Sequence, residues 1–121
     1  MAVYNGEQFL KEQIESILSQ LGAKDELIIV DDCSSDNSTG EIERFNDNRI
    51  KLLRNINNLG HVKTFERAVL ESKNLNLLFA DQDDIWADGH VDLLLTMINN
   101  EKKPVLVYGN FDEFGLDSFV K

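Results

Sequence analysis

Three carboxylates within four positions are the feature of this chain that most strongly suggests chemistry. Asp81, Asp83 and Asp84, with Gln82 among them, directly follow the apolar run 77–80. Like charges this close repel each other and raise each other's pKa unless a cation lies among them. Carboxylate oxygens are the ligands that Mg²⁺ and Mn²⁺ prefer, and a metal held by few carboxylates usually also binds phosphate. The motif therefore predicts a divalent metal site that binds a phosphorylated ligand.

A second acidic pair and an aromatic residue follow two other predicted strands. Asp31 and Asp32 come after the apolar strand 26–30, and Tyr4 ends a short strand at 1–4. In an open α/β sheet, ligands bind outside the carboxyl ends of the strands, so these loops should meet at one edge. An aromatic ring can stack on a base, a carboxylate can accept from base or ribose, and a metal can bridge a diphosphate. Together these groups predict a nucleotide-diphosphate pocket.

The elements that must position these residues alternate along the chain. Apolar residues at helical spacing predict helices over 7–20, 38–45, 61–72 and from Asp88 onward. In the third helix, the residues expected to face inward are Val62, Phe65, Val69 and Ala68. Short apolar runs predict strands over 1–4, 26–30, 50–53, 75–80 and 104–108. This alternation predicts a three-layer α/β/α fold with a mainly parallel, Rossmann-like sheet, in one domain over 1–121.

Composition excludes several classes of function. The formal net charge is −10, so the basic surface typical of nucleic-acid-binding proteins is absent. The one cysteine, Cys33, allows no internal disulfide, which fits a reducing compartment. No apolar run approaches the roughly 20 residues of a membrane span, and the start of the chain does not have the pattern of a signal peptide. We expect a cytoplasmic protein, with peripheral binding to the inner face of the plasma membrane as an open alternative.

Five sequence blocks, in this order and spacing, resemble family 2 glycosyltransferases of the GT-A fold. The blocks are AVYNG (2–6), SILSQ (16–20), IVDDCSSD (29–36), NINNLG (55–60) and DQDDIW (81–86). The resemblance covers roughly residues 1 to 110. It implies a GT-A nucleotide-binding half, a nucleoside diphosphate sugar as donor with UDP as the favoured nucleotide, and Mg²⁺ or Mn²⁺ as cofactor. It also implies transfer to a hydroxyl of a glycan or lipid-linked acceptor, with inversion at the anomeric carbon, in bacterial polysaccharide or cell-surface glycan synthesis.

The resemblance also implies roles for particular residues. The tyrosine position lies against the base, the second aspartate of the pair contacts the nucleoside, and the D-x-D element meets the metal and diphosphate, with Asp83 the more direct ligand. The expected nucleotide-binding residues are Ala2, Tyr4, Asp32, Gly60, Lys63, Asp81 and Gln82, and the expected metal ligands are Asp83 and Asp81. Lys63 enters this set because its position after Gly60 would allow a phosphate contact.

The resemblance further implies that the acceptor site and the carboxylate acting as general base lie well beyond the D-x-D element. Asp112, Glu113 and Asp117 are too close to the predicted strand 104–108 to match that base. We therefore expect the chain to be the N-terminal part of a longer transferase, with no general base assigned within it. Two alternatives stay open: a non-catalytic nucleotide-sugar-binding module and a phosphoacceptor receiver domain. Apolar surface near 105–111 would also favour a homo-oligomer.

Overall fold

The structure, a computed structural model, describes residues 1–101, 103 and 105–107. Its elements, in chain order, are β1 (Ala2–Val3), α1 (Leu10–Leu18), β2 (Leu27–Asp31), α2 (Ser38–Glu43), β3 (Ile50–Arg54), α3 (His61–Leu70) and α4 (His90–Asn99). The three strands form one sheet in the order β1-β2-β3, and both pairs of neighbours are parallel. The predicted α/β class and parallel sheet are confirmed, and the observed helices are shorter than their periodic patterns.

The central strand β2 organises the sheet. All five of its residues are buried, as expected for a strand that hydrogen-bonds on both edges and is covered on both faces. Ala2 lies opposite Val30 on one side, and Ile50 lies opposite Leu27 on the other. Because Val3 pairs with Asp31, the carboxyl ends of β1 and β2 open at the same edge of the sheet. The loops that carry the candidate site residues leave from this edge.

Helices cover both faces of the sheet. On one face, Ile14 and Ile17 of α1 and Ile42 of α2 pack in a cluster with Leu27 and Ile29. Side chains alternate between the two faces of a strand, so the intervening residues of β2 point the opposite way. There they pack against α3. The predicted three-layer arrangement is confirmed for the described residues.

The second cluster, on the α3 face, is small. It consists of Ile28, Val30 and Ala68, with Leu53 packed against it. The inward face of α3 also differs from the prediction, because Thr64 is fully buried while Val62 is 69% exposed. Hydrogen bonds explain the burial of Thr64. Its hydroxyl donates to the carbonyl oxygen of Gly60 and accepts from Asn55, so this threonine faces the end of the sheet.

The prediction of a strand over 75–80 is wrong. The segment is irregular, and Leu75 is fully exposed while Phe79 is 57% exposed. A fourth strand needs an edge with free backbone groups, and β1 spans only two residues. Apolar content alone therefore did not produce a strand here. Ala80, at the end of the segment, is nonetheless buried in the cluster under α1.

The last predicted strand, over 104–108, lies only partly within the described residues. Residues 105–107 have no regular secondary structure, and the flanking residues Pro104 and Tyr108 lie outside the described residues. Asp112, Glu113 and Asp117, considered above as candidates for the general base, also lie outside them.

Candidate functional site

The loop after β1 is bound to the loop after β2 by reciprocal hydrogen bonds. The backbone N–H of Asn5 donates to Ser34 Oγ at 2.9 Å, and that of Gly6 donates to Ser38 Oγ at 2.8 Å. In return, Ser35 N–H donates to Asn5 Oδ1 at 2.8 Å. Each loop thus satisfies polar groups that would otherwise need water. As a result, Tyr4 is held at the sheet edge with its side chain about half exposed, at 48%.

The two aspartates after β2 have different environments. Asp31 is fully buried, forms an ion pair with Arg54 Nε at 3.1 Å and accepts from the backbone N–H of Ser34. Asp32 is also buried, and its Oδ1 and Oδ2 atoms each accept a backbone N–H at 2.8 Å, from Leu59 and Gly60 respectively. The carboxylate of Asp31 is therefore paired with the end of β3, and of the two aspartates only Asp32 lines the cleft described below.

The pKa of Asp32 follows from these contacts. Burial raises the pKa of this carboxyl, but the hydrogen bonds from Asn55, Leu59 and Gly60 together lower it more. The net pKa lies below the usual value, so the group is ionised near neutral pH. A carboxylate is therefore available at this edge of the sheet as a fixed acceptor.

Asn55 is a buried hub rather than a simple turn residue. It is 3% exposed, and its side-chain amide donates to Asp32 Oδ1 at 2.6 Å and to Thr64 Oγ1 at 3.2 Å. Its side-chain carbonyl accepts from Arg67 of α3. The turn-rich composition of 55–60 concealed this role, because asparagine is common in turns for unrelated reasons. Asn55 therefore ties the end of β3 to both Asp32 and α3.

The acidic loop, defined here as residues 81–86, is joined to β1 through a side chain. Gln82 Oε1 accepts the backbone N–H of Tyr4 at 2.9 Å. The same amide group packs directly over Gly6, where a Cβ atom would lie only 2.6 Å from Gln82 Oε1. Glycine at position 6 therefore allows the acidic loop to approach the loop after β1.

Charge is concentrated in the acidic loop. Burial and then the negative charges of Asp81 and Asp83 raise the pKa of Asp84 above its usual value. Repulsion of this kind was expected from the sequence. Asp81 and Asp83 are exposed, so their carboxylates are accessible to an incoming cation.

These loops enclose a cleft of about 390 Å³ at the carboxyl edge of the sheet. Its lining consists of Ala2, Val3, Tyr4, Asp32, Asn58, Gly60, His61, Thr64, Phe65, Asp81, Gln82 and Asp83. Six of the seven predicted nucleotide-binding residues and both predicted metal ligands are therefore brought together around one space. Lys63 is exposed and does not line the cleft, so its phosphate contact stays a prediction. His61, Thr64 and Phe65 are additional lining residues that lie outside the five sequence blocks.

A larger cavity of about 430 Å³ lies elsewhere, between α1, α3 and the irregular segment before the acidic loop. Its lining is mainly apolar and includes Ile17, Phe65 and Leu77. We assign the chemistry to the smaller cleft, because binding sites are recognised by convergent polar groups rather than by size alone.

The donor set fits a divalent metal only in part. Among the described residues, no three His, Cys, Asp or Glu side chains are close enough together to hold a metal ion. Mg²⁺, however, is usually bound by one or two carboxylates together with substrate phosphates and water. Asp81 and Asp83 supply two exposed carboxylates beside the cleft. The residues therefore fit a metal that arrives with a diphosphate, rather than one bound by protein alone.

The fold is that of open α/β domains, which bind ligands at the carboxyl edge of their strands. The chain belongs to the family described as "Glycosyl transferase family 2", which it matches over residues 1–120. This membership confirms the resemblance found in the sequence. It also excludes the receiver-domain alternative.

Two curated relatives and one solved structure illustrate the similarity. The chain is 34% identical to the Escherichia coli UDP-Glc:alpha-D-GlcNAc-diphosphoundecaprenol beta-1,3-glucosyltransferase WfgD, covering 99% of this chain and 47% of that protein. It is 37% identical to the Shigella flexneri dTDP-rhamnosyl transferase RfbG, covering 71% of this chain and 32% of that protein. The crystal structure of S. aureus TarS 1-349 in complex with UDP superposes with a TM-score of 0.74 at 24% identity, covering 82% of this chain and 30% of TarS.

The similarity to TarS concerns the fold and confirms the expected GT-A architecture. The chain spans less than half the length of each of these proteins. Family membership is generally consistent with the use of a divalent metal. Within the part of the chain that the structure describes, no helix is long and apolar enough to cross a bilayer.

Proposed function

We propose that this chain binds the donor, a nucleoside diphosphate sugar, in an enzyme that transfers the sugar to an acceptor hydroxyl in bacterial glycan synthesis. The observation that carries the proposal is the single cleft lined by Tyr4, Asp32, Asp81 and Asp83. The name of WfgD specifies UDP-Glc and a diphosphoundecaprenol-linked sugar, and TarS was solved with UDP. These relatives favour UDP as the nucleotide and a lipid-linked or glycan acceptor.

The proposed roles of the nucleoside-binding residues follow from their exposure and unused bonding capacity. The half-exposed ring of Tyr4 offers a face on which a base can stack. Asp32 accepts three hydrogen bonds, from Asn55, Leu59 and Gly60, and a carboxylate has about four acceptor positions. The remaining position can accept a donor from the base or the ribose.

Asp83, with Asp81, would hold Mg²⁺ or Mn²⁺ together with the diphosphate. When bound, such an ion neutralises the negative charge that develops on the departing nucleoside diphosphate. The chain itself supplies the two carboxylates and keeps them beside the cleft. Gln82 connects their loop to the backbone of Tyr4, so diphosphate and base would be bound in one fixed relationship.

The proposed reaction is a single displacement with inversion. The acceptor oxygen forms a bond to the anomeric carbon while the bond from that carbon to the diphosphate oxygen breaks. The acceptor hydroxyl proton passes to a base, and the nucleoside diphosphate leaves with the bonding electron pair. Among the described residues, Asp32 is assigned to the nucleoside and Asp81 and Asp83 to the metal. No cleft carboxylate is then left to act as the base.

That last observation favours a second candidate function, a module that binds the nucleotide sugar without turning it over. The two candidates share the binding step and differ in the products. Incubation with a UDP-sugar, Mn²⁺ and a lipid-linked acceptor, followed by chromatography of released UDP, separates them. UDP release that depends on the acceptor supports transfer, whereas binding without release supports the module.

Calorimetry tests the binding step. UDP should bind the wild type more tightly with Mn²⁺ than without it, and dTDP provides a comparison for the base. Asp83→Ala should remove the gain due to Mn²⁺, while the matched change Asp88→Ala, at an exposed aspartate outside the cleft, should leave it intact. Identical metal dependence in wild type and Asp83→Ala would refute the metal assignment. Failure of the wild type to bind any nucleoside diphosphate would refute the donor assignment.

The proposed location is the cytoplasm, where a lipid-linked acceptor would bring the protein to the inner face of the plasma membrane. Cell fractionation with and without high salt tests this location.

We also propose that exposed apolar residues such as Leu106, which is 84% exposed, support self-association. Light scattering coupled to gel filtration measures the oligomeric state, and a monomer at all concentrations would contradict that part of the proposal.

A further inference from the structure

Three polar side chains on one side of α1 and the turn after it form hydrogen bonds to the chain around the acidic loop. They are Gln13, Ser16 and Gln20, which we call the polar row. We infer that the polar row positions the acidic loop and thereby presents Asp81 and Asp83 to the diphosphate. The second part of this inference rests on the proposed function. Ser16 and Gln20 belong to the sequence block 16–20, for which the donor site alone provides no role.

Gln13 is the most constrained member of the polar row. It lies on the buried face of α1 and has no exposed surface, a position where an apolar residue would be expected. Its Nε2 atom donates to the backbone carbonyl of Asp81 at 2.9 Å, and its Oε1 atom lies 3.1 Å from Ser16 Oγ. A buried amide is tolerated only when its groups are paired. Gln13 is therefore placed to hold the first residue of the acidic loop.

The other two members hold the far end of the loop and the start of α4. Ser16 Oγ accepts the backbone N–H of Trp86 at 3.1 Å. Gln20 Oε1 accepts the backbone N–H of Val91 at 3.2 Å, and its Nε2 atom lies 3.4 Å from the carbonyl oxygen of Trp86. All of these contacts are to backbone atoms. The polar row therefore fixes where the chain runs, whatever side chains the loop presents.

The acidic loop needs such an anchor because regular structure does not supply one. Residues 75–80 form no strand, so no sheet hydrogen bonds hold the chain as it enters the loop. Repulsion between Asp81, Asp83 and Asp84 also favours a looser loop. The polar row binds the loop at residues 81 and 86, and the carboxylates of Asp83 and Asp84 lie between these two anchors.

Positional precision is what such an anchor contributes to binding. Groups that bind a metal or phosphate must be held within about 0.5 Å of a productive geometry, and outer partners provide that constraint. Loss of such a partner typically costs 10- to 100-fold in metal affinity or activity. Gln13 does not line the cleft, so any effect of changing it on diphosphate binding must act through the loop.

The test uses Gln13→Met, which keeps the length of the side chain and removes both amide groups. Gln8→Met is the matched control, because Gln8 is an exposed glutamine outside α1 and the cleft. The first readout is the fluorescence of Trp86, the one tryptophan in the chain, which lies in the acidic loop. With folding verified by circular dichroism, Gln13→Met should increase acrylamide quenching of Trp86, whereas Gln8→Met should leave quenching at the wild-type level.

The second readout separates positioning from general destabilisation. In Gln13→Met, the Kd for UDP in Mn²⁺ should rise roughly 10- to 100-fold. The Kd for UDP without metal should change much less, because the polar row forms its hydrogen bonds to the acidic loop and α4 rather than to Tyr4 or Asp32. A merely structural role would alter neither value at a temperature where the variant is folded. If Gln13→Met does not fold, Ser16→Ala is measured in the same two ways, since it removes the Oγ contacts to Trp86 and Gln13 but leaves the Gln13 amide that donates to Asp81.

Wild-type quenching and wild-type metal dependence in folded Gln13→Met would overturn the inference. Increased quenching with unchanged metal dependence would overturn its second part, presentation of the aspartates. If the wild type shows no Mn²⁺-dependent UDP binding, the proposed metal site fails, and the quenching of Trp86 alone decides whether the polar row anchors the loop.

Discussion

Asp32 Oδ2 accepts a 2.8 Å hydrogen bond from the backbone N–H of Gly60, 28 residues further along the chain. Its partner oxygen, Oδ1, accepts the N–H of Leu59 at 2.8 Å. One carboxylate thus connects the end of β2 to the residue that precedes α3. Because this carboxylate also lines the cleft, it serves the stability of the loop and the shape of the candidate site together.

We expect Asp32→Asn to destabilise the protein. The amide keeps the shape of the side chain but puts an NH₂ group against backbone donors, so at least one buried donor loses its acceptor. Such a loss costs about 1–3 kcal/mol. Urea unfolding followed by circular dichroism measures it, with the exposed Asp88→Asn as control. An unchanged midpoint in Asp32→Asn would show that the carboxylate does not support the loop.

The contribution of Asp32 should depend on pH. Burial raises the pKa of this carboxyl, but the hydrogen bonds from Asn55, Leu59 and Gly60 outweigh burial, so the folded pKa is lower than that of the unfolded chain. The unfolded state then binds more protons at acid pH, and the stabilisation is lost as pH falls. The difference in unfolding free energy between wild type and Asp32→Asn should be constant above about pH 5 and shrink below about pH 4.

Urea titrations at a series of pH values, down to the lowest at which the wild type is folded, measure that difference. Asp88→Asn again serves as the control, since its difference from wild type should show no comparable decline. A difference in unfolding free energy between wild type and Asp32→Asn that grows as pH falls would contradict the assigned direction of the pKa shift.

Two glycines in left-handed backbone regions should respond differently to substitution. Gly60 has φ 81° and ψ 157°, a combination that is essentially restricted to glycine, whereas Gly89 has φ 78° and ψ 5°, which asparagine tolerates. A Cβ atom would meet no neighbour within 4 Å at either position, so backbone strain alone decides the outcome. Gly60→Asn should cost about 1–3 kcal/mol, and Gly89→Asn should cost less.

Thermal unfolding monitored by circular dichroism compares the two variants directly. Gly60→Ala and Gly89→Ala complete the set, since alanine is strained at both positions. Equal melting temperatures for Gly60→Asn and Gly89→Asn would show that the backbone at Gly60 relaxes without cost, and that the entry to α3 is not a rigid wall of the cleft.

Tyr4 should matter for nucleoside binding and little for stability, because its side chain is about half exposed at the cleft. Stacking of a base on an aromatic ring is worth about 1–3 kcal/mol. Tyr4→Ala should therefore weaken UDP binding by roughly 5- to 150-fold, while Tyr4→Phe should retain it. Phe9→Ala, at an exposed aromatic outside the cleft, is the matched control in calorimetry. Loss of binding in Tyr4→Phe would point to the hydroxyl rather than the ring.

Local patterns were sufficient for much of the framework. The helical spacing of apolar residues predicted that α1 is a helix, and the continuous apolar run predicted that β2 is a strand. A helix buried on one face has apolar residues at helical spacing, whereas a strand buried on both faces is apolar throughout. The position of Tyr4 and Asp32 at one edge also followed from strand order, since the loops after parallel strands open on the same side. Asp81 and Asp83 line the same cleft although no strand precedes them.

Other features were decided by contacts between distant parts of the chain. The apolar run 75–80 indicated a strand, yet a strand exists only where an edge offers backbone partners, and the two-residue β1 offers few. Asparagine is a common turn residue, so local composition does not indicate that Asn55 is buried between Asp32, Thr64 and Arg67. Neither outcome is visible in a local window, because each depends on the position of another element.

By itself, the sequence determined the fold class, the family and the meeting of Tyr4 and Asp32 at the carboxyl edge, because these depend on periodicity, residue type and strand order. The tertiary structure decided how the acidic loop is held. Gln13 and Asp81 are 68 residues apart, and their hydrogen bond exists only because α1 packs where the irregular loop passes. Side-chain amides bind whatever backbone lies within about 3 Å, so their partners are set by three-dimensional packing rather than by local pattern.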